Sequence, residues 1–208
     1  MDHRTDPRGP VHREATAASP AKQDSAGKTL LRIGFAGAVP GMAATAAALL
    51  WPGPATGAIA TSADAAILVG AIGLRRRHGG RLLLAAIVGL SASLVTGIAS
   101  FGLPLVTVGP AFDVVGTLSW LGDAAAYAIL GFALLRGWSV GRRRVAIVAG
   151  IGCLLRAGAA LLLVAVPHDD SLVDPSFRLL QAWRVCAAVS YALVAIFFVA
   201  TSRTEPTA

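Results

Sequence analysis

The chain has 208 residues, 55% of them hydrophobic and 14% charged, with a mean hydropathy of +0.68. That is too apolar for a soluble domain of this size, so an integral membrane protein is expected. The formal charge of +7 does not point to nucleic acid: the basic residues flank apolar runs rather than interleaving with aromatics on one face, and anionic lipid headgroups are their expected counter-charge.

Residues 1–28 mix charges of both signs with Pro, Ala and Ser, show no apolar periodicity, and read as a disordered cytoplasmic tail rather than a signal peptide. Six apolar segments follow, at 31–51, 56–74, 82–101, 114–135, 145–166 and 179–200. Each is close to the ~20 residues that a helix needs to cross ~30 Å of hydrocarbon. The expectation is an all-α integral membrane fold over residues 29–203, six transmembrane helices arranged as three helical hairpins, with a short cytoplasmic tail at 204–208. Fifteen of the eighteen Lys and Arg residues fall on one side of such an arrangement, in the tail, at Arg32, in 75–81, in 136–144 and at the C-terminal end. The positive-inside rule then puts both termini in the cytoplasm of a cell membrane. Prolines at 52, 104 and 167 end the first helix of each pair, and arginines at 75, 136 and 203 close the second, a rhythm that suggests a parallel threefold repeat.

Within the spans, Pro40 is placed to kink the first helix. Gly37 and Gly41 form a GxxxG, and Gly89, Ser93 and Gly97 make a small-residue stripe on the third helix; both are expected at helix contacts. Four ionisable residues stand inside apolar segments: Asp64, Asp123, Arg156 and Arg184. Lipid makes an unpaired charge at such a position costly, at ~2.5–3.5 kcal/mol, so these four must face one another or water. Counted from the outer helix ends at 1.5 Å per residue, they lie roughly 10, 14, 15 and 8 Å deep. Helical spacing adds Tyr127 to the face of Asp123, and Gln181 and Tyr191 to that of Arg184, while Ser93 lies on the polar stripe of the third helix.

These eight residues are the candidates for binding or translocation. Two readings compete for them: a solute pathway, or Asp–Arg pairs that only hold helices in register. The run "HDDSLVD" (168–174) reads as a solvated acidic loop rather than a metal site. No histidine lies within a span, Cys153 and Cys186 form no CxxC, and no lysine follows residue 28, so no cofactor, metal or catalytic residue is assigned.

"WPGPATGAI" (51–59) followed by "GLRRRHGG" resembles the opening of the LysE-type amino-acid exporters, six-span proteins of about this length with an early PGP and a basic first cytoplasmic loop. The likeness spans about thirty residues, and the family's long central loop is not evident; it implies transport. The function expected is thus transport or export of a small polar or anionic solute. The alternatives are a non-catalytic partner subunit for assembly, immunity or sensing, and a membrane-embedded enzyme acting on a lipid or isoprenoid. Expected partners are membrane lipids, a small solute, and a membrane protein or second copy of the chain.

Overall fold

A computed structural model describes residues 20–51, 53–102, 110–136, 138, 140–165 and 173–203. It contains six α-helices: α1 (Pro20–Ala47), α2 (Pro54–His78), α3 (Arg81–Gly102), α4 (Pro110–Arg136), α5 (Val140–Ala165) and α6 (Val173–Ser202). All six are long and apolar enough to cross a membrane, and no strand occurs among the described residues. Large apolar side chains such as Val88, Val95, Phe132, Leu155, Leu162 and Ile196 lie on the outer surface, as they would in a protein solvated by acyl chains.

Helix ends follow local chemistry. Gly53 precedes Pro54, whose missing N–H suits a first helical position, and the Thr56 hydroxyl donates to the Gly53 carbonyl at 2.7 Å. At the other end of α2, Gly79 (φ 66°) and Gly80 (φ 98°) take positive φ angles that side chains resist, and the Gly79 N–H returns to the Arg75 carbonyl at 2.7 Å. That turn lets α3 start at Arg81.

Each helix touches its neighbours in sequence, and α6 returns to α1, so the six close into a ring. Glycines bring α1 and α2 together along their length. A Cβ on Gly37 or Gly41 would overlap Ala66 or Ala63, one on Gly34 would meet Gly70 at 2.8 Å, and one on Gly27 would meet the Arg77 stem at 2.6 Å. As α1 numbers rise the α2 numbers fall, so the two run antiparallel. The GxxxG at 37 and 41 is thus a packing face, and it extends beyond those two positions. α4 and α5 meet in the same manner at Gly131 and Gly150, where an added Cβ on either would come within 2.9 Å of the other's carbonyl oxygen. On α3 the expected stripe divides: Gly89 packs on Ala126 of α4, whereas Gly97 meets nothing within 4 Å. α1 remains helical across Pro40.

Two local expectations change. Residues 20–28, read as part of a disordered tail, are the first turns of α1; residues 1–19 lie outside the described residues. Arg77, which topology alone accounted for, is tied into the bundle. Its Nε pairs with Asp24 of α1 at 2.8 Å and its Nη1 donates to the Thr201 carbonyl at the end of α6 at 2.6 Å. An α-helix leaves its last carbonyls without partners, and Arg77 supplies one. Nearby, His78 packs edge-on against Trp138 and Trp138 against Phe197, so the arginine-bearing end of the ring is filled with aromatic side chains. The prolines at 52, 104 and 167 and the loop residues 168–170 lie outside the described residues.

Candidate functional site

Arg156, on α5, is the centre of the polar cluster. Its side chain is 2% exposed, and its Nε and Nη2 grip both oxygens of Asp123 on α4, at 3.1 Å to Oδ2 and 2.6 Å to Oδ1. This two-point, charge-assisted geometry is the strongest pairing available to a guanidinium. The same Nη2 reaches Asp64 on α2 at 3.2 Å (Oδ1) and 3.4 Å (Oδ2). Aromatic rings cover the faces of the cation: its Cζ lies 3.7 Å from the Tyr127 ring centroid, 4.7 Å from Tyr191 and 5.6 Å from Trp183.

Asp64 is held differently. Its Oδ1 accepts hydrogen bonds from the Tyr127 hydroxyl (2.6 Å) and the Tyr191 hydroxyl (2.7 Å), while Oδ2 has only the long contact to Arg156. Its side chain is 20% exposed, against 9% for Asp123. Asp123 gains a third donor in the Trp183 indole N–H at 3.3 Å.

Above the cluster opens a cavity of about 360 Å³, lined from all six helices. Asp64, Asp123 and Arg156 form its floor, and Trp120 and Trp183, packed edge to face at 4.7 Å, form one wall. Small residues complete it, among them Gly57, Ala60, Thr61, Ser93 and Gly97. Gly97 is therefore free of helix contact because it borders this space. Below the cluster, each charged or hydroxylated residue is followed, three positions nearer the arginine-bearing end, by a fully buried apolar one: Ile67 after Asp64, Leu130 after Tyr127, Val194 after Tyr191, and Cys153 before Arg156. This layer closes the cavity on that side, so the site is approached from the opposite end.

Of the eight candidate residues, the fold brings five into direct contact: Asp64, Asp123, Arg156, Tyr127 and Tyr191. Ser93 lines the cavity without joining them. Arg184 also lines it, but higher up: its Nη1 donates to the Ala48 carbonyl just past α1 at 2.8 Å and meets Gln181 Oε1 at 3.5 Å. It caps a helix end at the rim rather than pairing with either aspartate. Trp183 was not singled out in the sequence; the available signal was that an indole N–H inside an apolar span needs an acceptor. Among the described residues no group of three or more His, Cys, Asp or Glu could hold a metal ion.

No family model, no curated protein and no solved structure matches the chain. The resemblance of residues 51–80 to LysE-type exporters finds no support in these comparisons.

Proposed function

We propose that this protein is a transporter that receives a small polar solute in a cavity open toward the outer face of a cell membrane. The observation that carries the reading is the cavity itself, a space with a charged floor set near the middle of six membrane-spanning helices and sealed beneath by apolar side chains. A polar group at that depth is costly, and a pairing used only to hold helices together is better served by a dry site. The three-hairpin reading, with both termini cytoplasmic, is supported by exposed Arg75, Arg76, Arg81, Arg143 and Arg144 at the end opposite the cavity. An enzyme acting on lipid would need Asp123 and Tyr127 together at an accessible pocket, whereas Tyr127 is fully buried with its hydroxyl committed to Asp64.

The test is flux. Purified protein in proteoliposomes is assayed with radiolabelled tetraethylammonium, glycerol and lactate, representing cationic, neutral and anionic solutes. Protein-dependent, saturable uptake of at least one, abolished by Asp123→Asn in protein that still inserts, is expected. Uptake unchanged by that substitution would remove the cluster from the pathway.

A further inference from the structure

Two arginines line the cavity, and the described residues serve them differently. Arg156 holds Asp123 through Nε and Nη2, the edge of a guanidinium that matches the two oxygens of a carboxylate, and reaches Asp64 with the same Nη2. The two aspartates share that one cation, and the hydroxyls of Tyr127 and Tyr191 and the Trp183 indole supply their other donors. Every oxygen of the floor carboxylates therefore faces at least one donor. Arg184, in contrast, forms no ion pair among the described residues. Its Nη1 donates to the Ala48 carbonyl at 2.8 Å and meets Gln181 Oε1 at 3.5 Å, while its Nε and Nη2 donate to no described residue. The edge by which Arg156 grips a carboxylate is thus open on Arg184.

That open edge belongs to a half-buried side chain within a membrane-spanning segment, where a cation is kept only with a counter-charge or with water. The bond to the Ala48 carbonyl, just past the end of α1, fixes the head at the cavity mouth. Along α6, Arg184 stands about two turns, or about 10 Å, outward of Tyr191, whose hydroxyl reaches the floor, so the floor carboxylates lie deeper. Apolar surface is close by: Trp120 and Trp183 meet edge to face at 4.7 Å, and Ala60, Gly97 and Gly116 leave room beside them. An apolar wall with a single charged anchor suits a small organic anion. One open guanidinium edge matches one negative charge. A phosphate dianion would need a second cation, and Arg156 is already held by carboxylates and covered by the rings of Tyr127, Tyr191 and Trp183.

We infer that Arg184 is the recognition residue for a small organic monocarboxylate, whose two oxygens it takes on Nε and Nη2 while the apolar body lies against Trp120 and Trp183. This rests on the transport reading and names its substrate class. Recognition at Arg184 leaves the hydrogen bonds of Asp64 and Asp123 as they are, and no covalent bond is made or broken. A neutral analogue of the same shape lacks the ion pair, and an organic cation meets a like charge at the mouth. Lysine cannot replace the arginine fully, because an ammonium offers a point charge without the planar fork.

The experiment measures equilibrium binding in detergent, where no membrane crossing is involved. Benzoate is titrated into the wild-type protein by calorimetry, with benzyl alcohol as the neutral analogue and inorganic phosphate as a competitor. Saturable benzoate binding is expected, about tenfold or more tighter than that of benzyl alcohol, with Arg184→Gln weakening it by about tenfold or more and Arg184→Lys by less. A second measurement uses the wild type alone, so it holds even if a variant misfolds: benzoate, but not benzyl alcohol, should slow the modification of Arg184 by phenylglyoxal, read by mass spectrometry. No saturable benzoate binding, equal binding of benzyl alcohol, an unchanged rate of Arg184 modification at saturating benzoate, or displacement by an equal or lower concentration of phosphate would each overturn the inference. Flux of tetraethylammonium or glycerol without benzoate binding would overturn it while leaving the transport reading intact; Arg184-dependent benzoate binding without flux of any solute would do the reverse.

Discussion

Replacing Arg156 with glutamine is the most informative perturbation of the cluster. The change removes both bonds to Asp123 (3.1 and 2.6 Å) and the contact to Asp64 (3.2 Å), leaving two mostly buried carboxylates with no cation between them. Breaking a buried ion pair by removing one partner costs about 3–5 kcal/mol, several times the ~0.6 kcal/mol average for a hydrogen bond between membrane helices. The deficit is chiefly uncompensated charge, so it should be partly relieved by removing a second charge. Asp123→Asn alone is expected to cost only about 1–2 kcal/mol, because Arg156 can still pair with Asp64. Asp123→Asn in the Arg156→Gln background should recover stability, giving a coupling energy of about 2 kcal/mol in a double-mutant cycle. Reversible unfolding in bicelles or mixed micelles, read by far-ultraviolet circular dichroism, supplies the four values. If the two substitutions add within about 0.5 kcal/mol, the carboxylates do not share the guanidinium and the charge argument fails.

Other consequences are open to simpler checks. Tyr127→Phe and Tyr191→Phe each remove one donor to Asp64 Oδ1, and each should lower stability by about 0.5–1.5 kcal/mol in the same unfolding assay. Gly37→Leu places a side chain where even a Cβ overlaps Ala66, so a loss of at least ~2 kcal/mol or failure to accumulate as folded protein is expected, measured by thermal unfolding of the purified variant. Cys153 is fully buried and should resist maleimide until the protein is unfolded in SDS, which mass spectrometry of the Cys186→Ser variant would show. A cysteine placed at Gly80 in a cysteine-free background should react with membrane-impermeant reagent only from the cytoplasmic side; labelling from outside would reverse the proposed orientation.

The spans were legible in the sequence because a lipid-facing helix must be apolar for a length that the bilayer dictates. The segments expected at 114–135 and 145–166 fall within a few residues of the spans Val114–Arg136 and Gly141–Ala165. The closing contact between α6 and α1 was not legible, since it joins the two ends of the chain and rests on shape. Among the charged residues the depth count already contained the answer in part: Asp123 and Arg156 come out at about the same level, roughly 14 and 15 Å, with Arg184 nearer the surface. Helical periodicity placed Arg184 on the stripe of Tyr191 and so drew it into the cluster. It could not report that a carbonyl beyond the end of α1, at Ala48, would claim the side chain first. Nor could it separate an exposed charge from a covered one. That distinction depends on the three aromatic rings that surround Arg156, contributed by two different helices.

The glycine contacts divide the ring mechanically. α1 and α2 are locked together along their length, and α4 is locked to α5, whereas α2 and α3 touch least of all the neighbouring pairs. The bond between Asp123 and Arg156 lies inside one locked pair and behaves as a rivet. All the hydrogen bonds that the Asp64 carboxylate accepts come instead from outside its own pair, from α4 and α5 of the other pair and from α6. Removing the Asp64 carboxylate is therefore expected to weaken the contact of α2 with these helices without loosening either locked pair.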